Sequence, residues 1–224
     1  MNFDQFLSTI SDRALSVLDG SISYSDYRSI DLSVANPILR NIDITKAAIC
    51  ESYINNFLEE QQGKVAYGGY LEERNLYGGS SNFIGSEQRN IHLGLDLWAP
   101  VGTEVRAVLD GRVHSFQNNT TMGDYGPTII LNHQFGAKSF YTLYGHLSLE
   151  SLTGIHVGKI IKQGELIGSF GHPEINVGYA PHLHFQIIKD LEGHIGDYPG
   201  VCSSDKLVFY KENCPDPNLL LKLP

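Results

Sequence analysis

The chain has 224 residues, 42% of them hydrophobic and 18% charged, with a formal net charge of −9. That length accommodates one ordinary domain plus a smaller appendage, and a core large enough to fold without a disulfide framework or a structural metal; the composition is globular rather than disordered. The acidic surplus is spread along the chain, with nine acidic and five basic groups in residues 1–64, and it excludes nucleic acid and anionic membrane as main partners because both repel an acidic surface.

At the amino terminus Phe3, Phe6, Leu7, Ile10, Ala14, Val17 and Leu18 recur at helical spacing, and Gly20 stands where a helix would stop. A second helix is predicted over 45–60, with Asp43 as its cap and Ala47, Ala48, Ile54, Phe57 and Leu58 as its apolar stripe. Residues 1–64 therefore read as a small helical segment, and they contain no histidine. The opening stretch lacks a basic n-region and a continuous apolar h-region, so it is not a signal peptide. No run approaches the roughly 18 apolar residues of a membrane span. The expected location is cytoplasmic as the chain stands, or extracytoplasmic if a leader has been trimmed.

After Gly63 the texture changes to short runs rich in Val, Ile, Tyr and Phe, punctuated by glycine: 104–109, 111–116, 127–133, 139–146, 156–161, 165–170 and 180–188. Strands at this spacing predict a mainly β fold, two antiparallel sheets forming a sandwich or groove, over residues 65–196. Residues 197–224 read as an irregular strap. Cys50, Cys202 and Cys214 are an odd and sparse set, expected as buried or free thiols, although Cys202 and Cys214 would close a small loop in an exported chain.

All nine histidines lie between His92 and His194. In His92-Leu-Gly-Leu-Asp96 the strand period of two places His92, Gly94 and Asp96 on one face and three leucines on the other. In Pro181-His182-Leu183-His184-Phe185-Gln186-Ile187 the same alternation aligns His182, His184 and Gln186 against an apolar reverse. A third stretch, Tyr141-Thr-Leu-Tyr-Gly-His146-Leu147, brings Tyr144 and His146 to a strand end. Imidazole and carboxylate are both good ligands for zinc, and no cysteine lies among these residues to close a structural site. His114, His133, His156 and His194 read as ordinary strand and loop residues. His172 sits in a turn that is not expected to reach the site, and residues 75–82 form a Gly- and Ser-rich connection or substrate-side loop.

HxxxD, a Tyr-x-His-Leu strand and HxH, in that order, resemble the LytM/lysostaphin-type zinc metallopeptidases of peptidase family M23, and 100–113 and 158–171 are similar to that family's β-scaffold. The resemblance covers about residues 65–190. It implies one zinc ion held by His92, Asp96 and His184, with water at the fourth position and His146 and His182 flanking it as catalytic residues. It further implies a metalloendopeptidase that hydrolyses peptidoglycan-type or Gly/D-Ala-containing peptides. Gln186 stands where the family often has Glu, and the 171–182 connection is longer than usual. Two rivals are a non-enzymatic zinc-containing β-module that binds peptidoglycan or a partner protein, and a zinc amidase acting on a small cytoplasmic compound. A phosphocarrier or biotinyl-type sandwich is disfavoured, because it leaves HxxxD unexplained.

Overall fold

The computed structural model describes residues 1–75 and 89–224; most of the 75–82 connection lies outside the described residues. The fold is mainly β, as expected. Its centre is an eight-stranded sheet in the order β1-β2-β4-β11-β8-β7-β6-β9, made of β1 (Tyr27–Ser29), β2 (Val65–Gly68), β4 (Leu95–Trp98), β6 (Gly111–Asn119), β7 (Gly126–Phe135), β8 (Lys138–Gly145), β9 (Ile160–Ile161) and β11 (His182–Ile188). Two two-stranded sheets complete it: β5 (Glu104–Arg106) with β10 (Leu166–Ser169), and β3 (Ile91–His92) with β12 (Val201–Cys202). All pairings are antiparallel except β1 with β2.

Strand β11 lies between β4 and β8, and the pairing register sets His184 opposite both Asp96 and Gly145. A seven-residue strand flanked on both sides is held along its whole length by backbone hydrogen bonds. The alternation predicted for it is present: Leu183, Phe185 and Ile187 enter the main core, while His182, His184 and Gln186 share the other face.

The first predicted helix is shorter than its pattern. Helix α1 spans only Phe3–Thr9, started by a capping box between Asn2 and Gln5. Ser8 and Thr9 turn their hydroxyls back onto the carbonyls of Asp4 and Phe6, a competition that weakens helices. Beyond it Leu15, Val17 and Leu18 enter the core in irregular backbone, where the Val17 carbonyl accepts from Arg106 N and Leu18 bridges Val105.

Helix α2 (Ala47–Glu60) agrees with its prediction, but Lys46 is its cap; Asp43 binds Thr45 and Lys46 side chains instead. Its buried side is Cys50, Ile54 and Leu58, which pack with Ala66, Trp98 and Ala180. The carboxyl-terminal stretch is not an irregular strap. It carries β12, α3 (Leu207–Asn213) and α4 (Asn218–Leu221), because Leu220, Leu221 and Leu223 join the same core as Phe6 and Leu183. All three cysteines are free and buried. Among the described residues no helix is long and apolar enough to cross a membrane.

Candidate metal centre

His92, Asp96 and His184 come from three strands and meet at one point. His92 Nε2 lies 2.9 Å from His184 Nδ1 and 3.2 Å from Asp96 Oδ1, and His184 Nδ1 lies 3.1 Å from the same oxygen. Ligands at ordinary zinc–nitrogen lengths in a tetrahedral set stand about 3.3 Å apart, so the triangle matches. All three residues are buried, with 2–3% of their surface exposed.

The protons on the two ligand rings are fixed by their outer partners. His92 Nδ1 donates to the Gly69 carbonyl at 3.0 Å, and His184 Nε2 donates to Gln186 Oε1 at 2.8 Å. The Gln186 amide is oriented in turn, since its Nε2 donates to the Pro199 carbonyl and to Cys214 Sγ. With those outer hydrogen bonds made, each ring turns its other nitrogen inward, toward the other ring and a carboxylate oxygen. Three lone pairs converging in a buried space repel one another unless a cation lies between them, so the donor set fits a divalent metal.

The Asp96 carboxyl is held well below the usual carboxylate range: burial opposes ionisation, but the electrostatic pull of its neighbours, Arg74 among them, outweighs it. Burial pushes His92 down to about 4. Arg74, 1% exposed, places Nη1 2.5 Å from Asp96 Oδ2 and pairs through Nε with Glu72.

His146 and His182 flank the triangle, their ring centroids 4.1 Å apart. Both lie below the ordinary imidazole range, chiefly through burial and also through neighbouring imidazoles, so both are neutral near pH 7. His182 Nδ1 donates to the Ala180 carbonyl at 2.7 Å, which turns Nε2 toward Asp96 Oδ1, 4.0 Å away. His146 follows the end of β8 with φ of +63°, a left-handed conformation that turns its ring toward His182. The five side chains border a cavity of about 340 Å³ that is also lined by Trp98, Tyr125 and Tyr179.

The model of peptidase family M23 matches residues 90–195, a span that contains all five of these side chains. Residues 90–195 belong to peptidase family M23. The chain is similar to DD-carboxypeptidase/endopeptidase Mpg of Neisseria meningitidis serogroup B, 35% identical over 135 residues, covering 57% of this chain and 29% of that protein. It is similar also to peptidoglycan DD-endopeptidase ShyC of Vibrio cholerae serotype O1, 33% identical over 101 residues, covering 45% of this chain and 21% of that protein. The chain thus spans less than a third of the length of these curated relatives. Among solved structures, the catalytic domain of lysostaphin from Staphylococcus simulans matches 72% of this chain and 97% of its own at 24% identity, with a TM-score of 0.43.

Within the M23 segment the HxxxD stretch is not one strand. It breaks at Leu93–Gly94 into β3 and β4, and the leucines divide: Leu93 packs with Ile91, Tyr125 and Tyr198, while Leu95 and Leu97 join the main core. Gly94 stands at the break because a Cβ there would lie 2.5 Å from His184 Cε1. Tyr144 is fully buried, its hydroxyl accepting from Val108 N and Thr142 Oγ1, so it packs rather than facing the M23 cavity. His172 is exposed away from the cavity, whereas His194 lines its rim with Asp197. Arg74, Tyr125 and Asn176 escaped sequence reasoning. Each lies outside the recognised motifs and reaches the site only through tertiary packing.

Proposed function

We propose that this protein is a zinc-dependent metalloendopeptidase that hydrolyses peptide bonds in peptidoglycan-type peptides. The observation that carries the reading is the buried His92–Asp96–His184 triangle, with inward lone pairs and two further neutral imidazoles beside it. The activities for which the similar M23 proteins are named, DD-carboxypeptidase/endopeptidase and peptidoglycan DD-endopeptidase, support the substrate class.

Zinc held by His92, Asp96 and His184 would supply Lewis acidity toward the scissile carbonyl and lower the pKa of a water toward about 7. His182 presents Nε2 toward that space, and its Nδ1–H stays on Ala180, so one ring nitrogen remains available to take a proton from attacking water. His146, neutral and packed against His182, is placed to share that proton and pass it to the departing amine. Burial of both rings keeps bulk water from competing for it.

Digestion of purified peptidoglycan and of synthetic D-Ala- and Gly-containing peptides, followed by chromatography and mass spectrometry, tests the reading. Cleavage that a chelator abolishes and zinc restores is expected. His146→Ala and His182→Ala should each lower kcat/KM by about 10²–10⁴ with zinc retained. Full activity in both variants, or cleavage indifferent to chelation, contradicts the reading.

A further inference from the structure

Arg74 belongs to none of the motifs, yet it is the largest fully buried side chain of the described residues. Its guanidinium joins two carboxylates at once. Nη1 meets Asp96 Oδ2 at 2.5 Å, and Nε meets Glu72 Oε2. Glu72 is anchored from the other side, since its Oε1 accepts from Leu32 N at 3.0 Å. The guanidinium carbon lies over the Trp98 ring, 5.4 Å from its centroid. Gly69 makes room for it: φ there is +102°, and a Cβ would collide with Arg74 Nη2. The Gly69 carbonyl meanwhile holds His92 Nδ1. The backbone around Gly69 is thus shaped to both a ligand imidazole and this arginine.

We infer that Arg74 is the positioning residue for Asp96: by occupying Oδ2 it leaves Asp96 a single oxygen, Oδ1, for the metal. The inference rests on the zinc reading above. A carboxylate free on both oxygens can swing to chelate a cation through both and fill a position that water or substrate would use. A planar fork fixed at its far end by Glu72 prevents that rotation, which a lysine ammonium, as a point charge, cannot do. Sharing the negative charge with Arg74 also leaves the metal more electron-poor.

Cobalt(II) loading of the full chain reads this directly, because its visible absorption reports coordination number and is independent of turnover. Wild type, Arg74→Met, Arg74→Lys and Glu72→Gln are compared by absorption spectrum, chelator-competition affinity and thermal melting. Expected for Arg74→Met is a several-fold weaker visible band, as coordination number rises, and about 10–100-fold weaker cobalt binding. Arg74→Lys restores little of either. Glu72→Gln, which keeps the arginine but loosens its anchor, moves both in the same direction by less, and it decides the matter should Arg74→Met fail to fold.

An unchanged spectrum and affinity in folded Arg74→Met and Glu72→Gln overturns the assignment while leaving the zinc reading intact. A raised KM with an unchanged spectrum likewise overturns it and makes Arg74 a substrate contact. Failure of the wild type itself to bind cobalt removes the zinc reading, and the inference with it.

Discussion

The metal-site geometry is decided by groups one step removed from the metal. Gly94 and Gln186 illustrate two different constraints on the same imidazole. With Gly94→Ala, a methyl 2.5 Å from His184 Cε1 must displace the ring or the strand break, and zinc affinity should fall by about 10–100-fold, measured by chelator competition. Gln186 binds with both ends of its amide. Gln186→Glu removes both donated hydrogen bonds and buries a charge, so the metal-free protein should lose about 1–3 kcal/mol in chemical denaturation. An unchanged denaturation midpoint would show that the amide orientation contributes nothing. Asn176 is a third such residue. Its Nδ2 donates to Ala180 O, the carbonyl that also orients His182.

At the scale of elements, β11 carries the site because β4 and β8 clamp it. The motif on β11 was legible since a period of two with apolar Leu183, Phe185 and Ile187 on the reverse leaves only one way to set the strand. HxxxD was legible as a ligand pair but not as two strands, because its break depends on a steric demand from His184, a residue about ninety positions away. The first helix was overextended for a related reason: Leu15, Val17 and Leu18 keep helical spacing, yet the edge of β5 captures the backbone at Val17 and Leu18. Arg74 was invisible because no local period marks an arginine whose partners are brought in by tertiary structure.

The β6–β8 hairpins carry a buried polar chain. His133 Nδ1 donates to the Asp110 carbonyl, and Nε2 contacts Thr142 Oγ1, which donates to the Tyr144 hydroxyl. Burial pushes His133 from 6.5 to about 4. With the folded value below the unfolded one, its stability contribution is complete above pH 6.5 and is lost as pH falls toward 4, amounting to about 3 kcal/mol. His133→Gln should therefore flatten the loss of stability between pH 7 and pH 5, as followed by denaturant titration. An equally steep loss in the variant would place the acid sensitivity elsewhere.

For the whole molecule, the segments before and after the M23 span are structurally continuous with it. Leu7, Leu18 and Tyr27 share a core with Leu183 and Leu221, β1 extends the main sheet, and Ile44 and Cys50 line the cavity. Residues 1–64 as a removable cover over the groove are hard to reconcile with that packing. Truncation at Gly63 should expose a wide apolar surface and release Glu72 from Leu32, giving a lower melting temperature and weaker metal binding. A stable, more active truncated chain would contradict this and make residues 1–64 a cover over the groove.

The His92–Asp96–His184 triangle is proposed as a zinc site. Its most direct test is metal content by mass spectrometry on purified wild type beside His184→Ala. The result expected is about one zinc per wild-type chain, as a mononuclear catalytic site requires, and none in the variant. Absence of zinc from wild type after dialysis against zinc would contradict the account and bring the non-enzymatic binding module to the front.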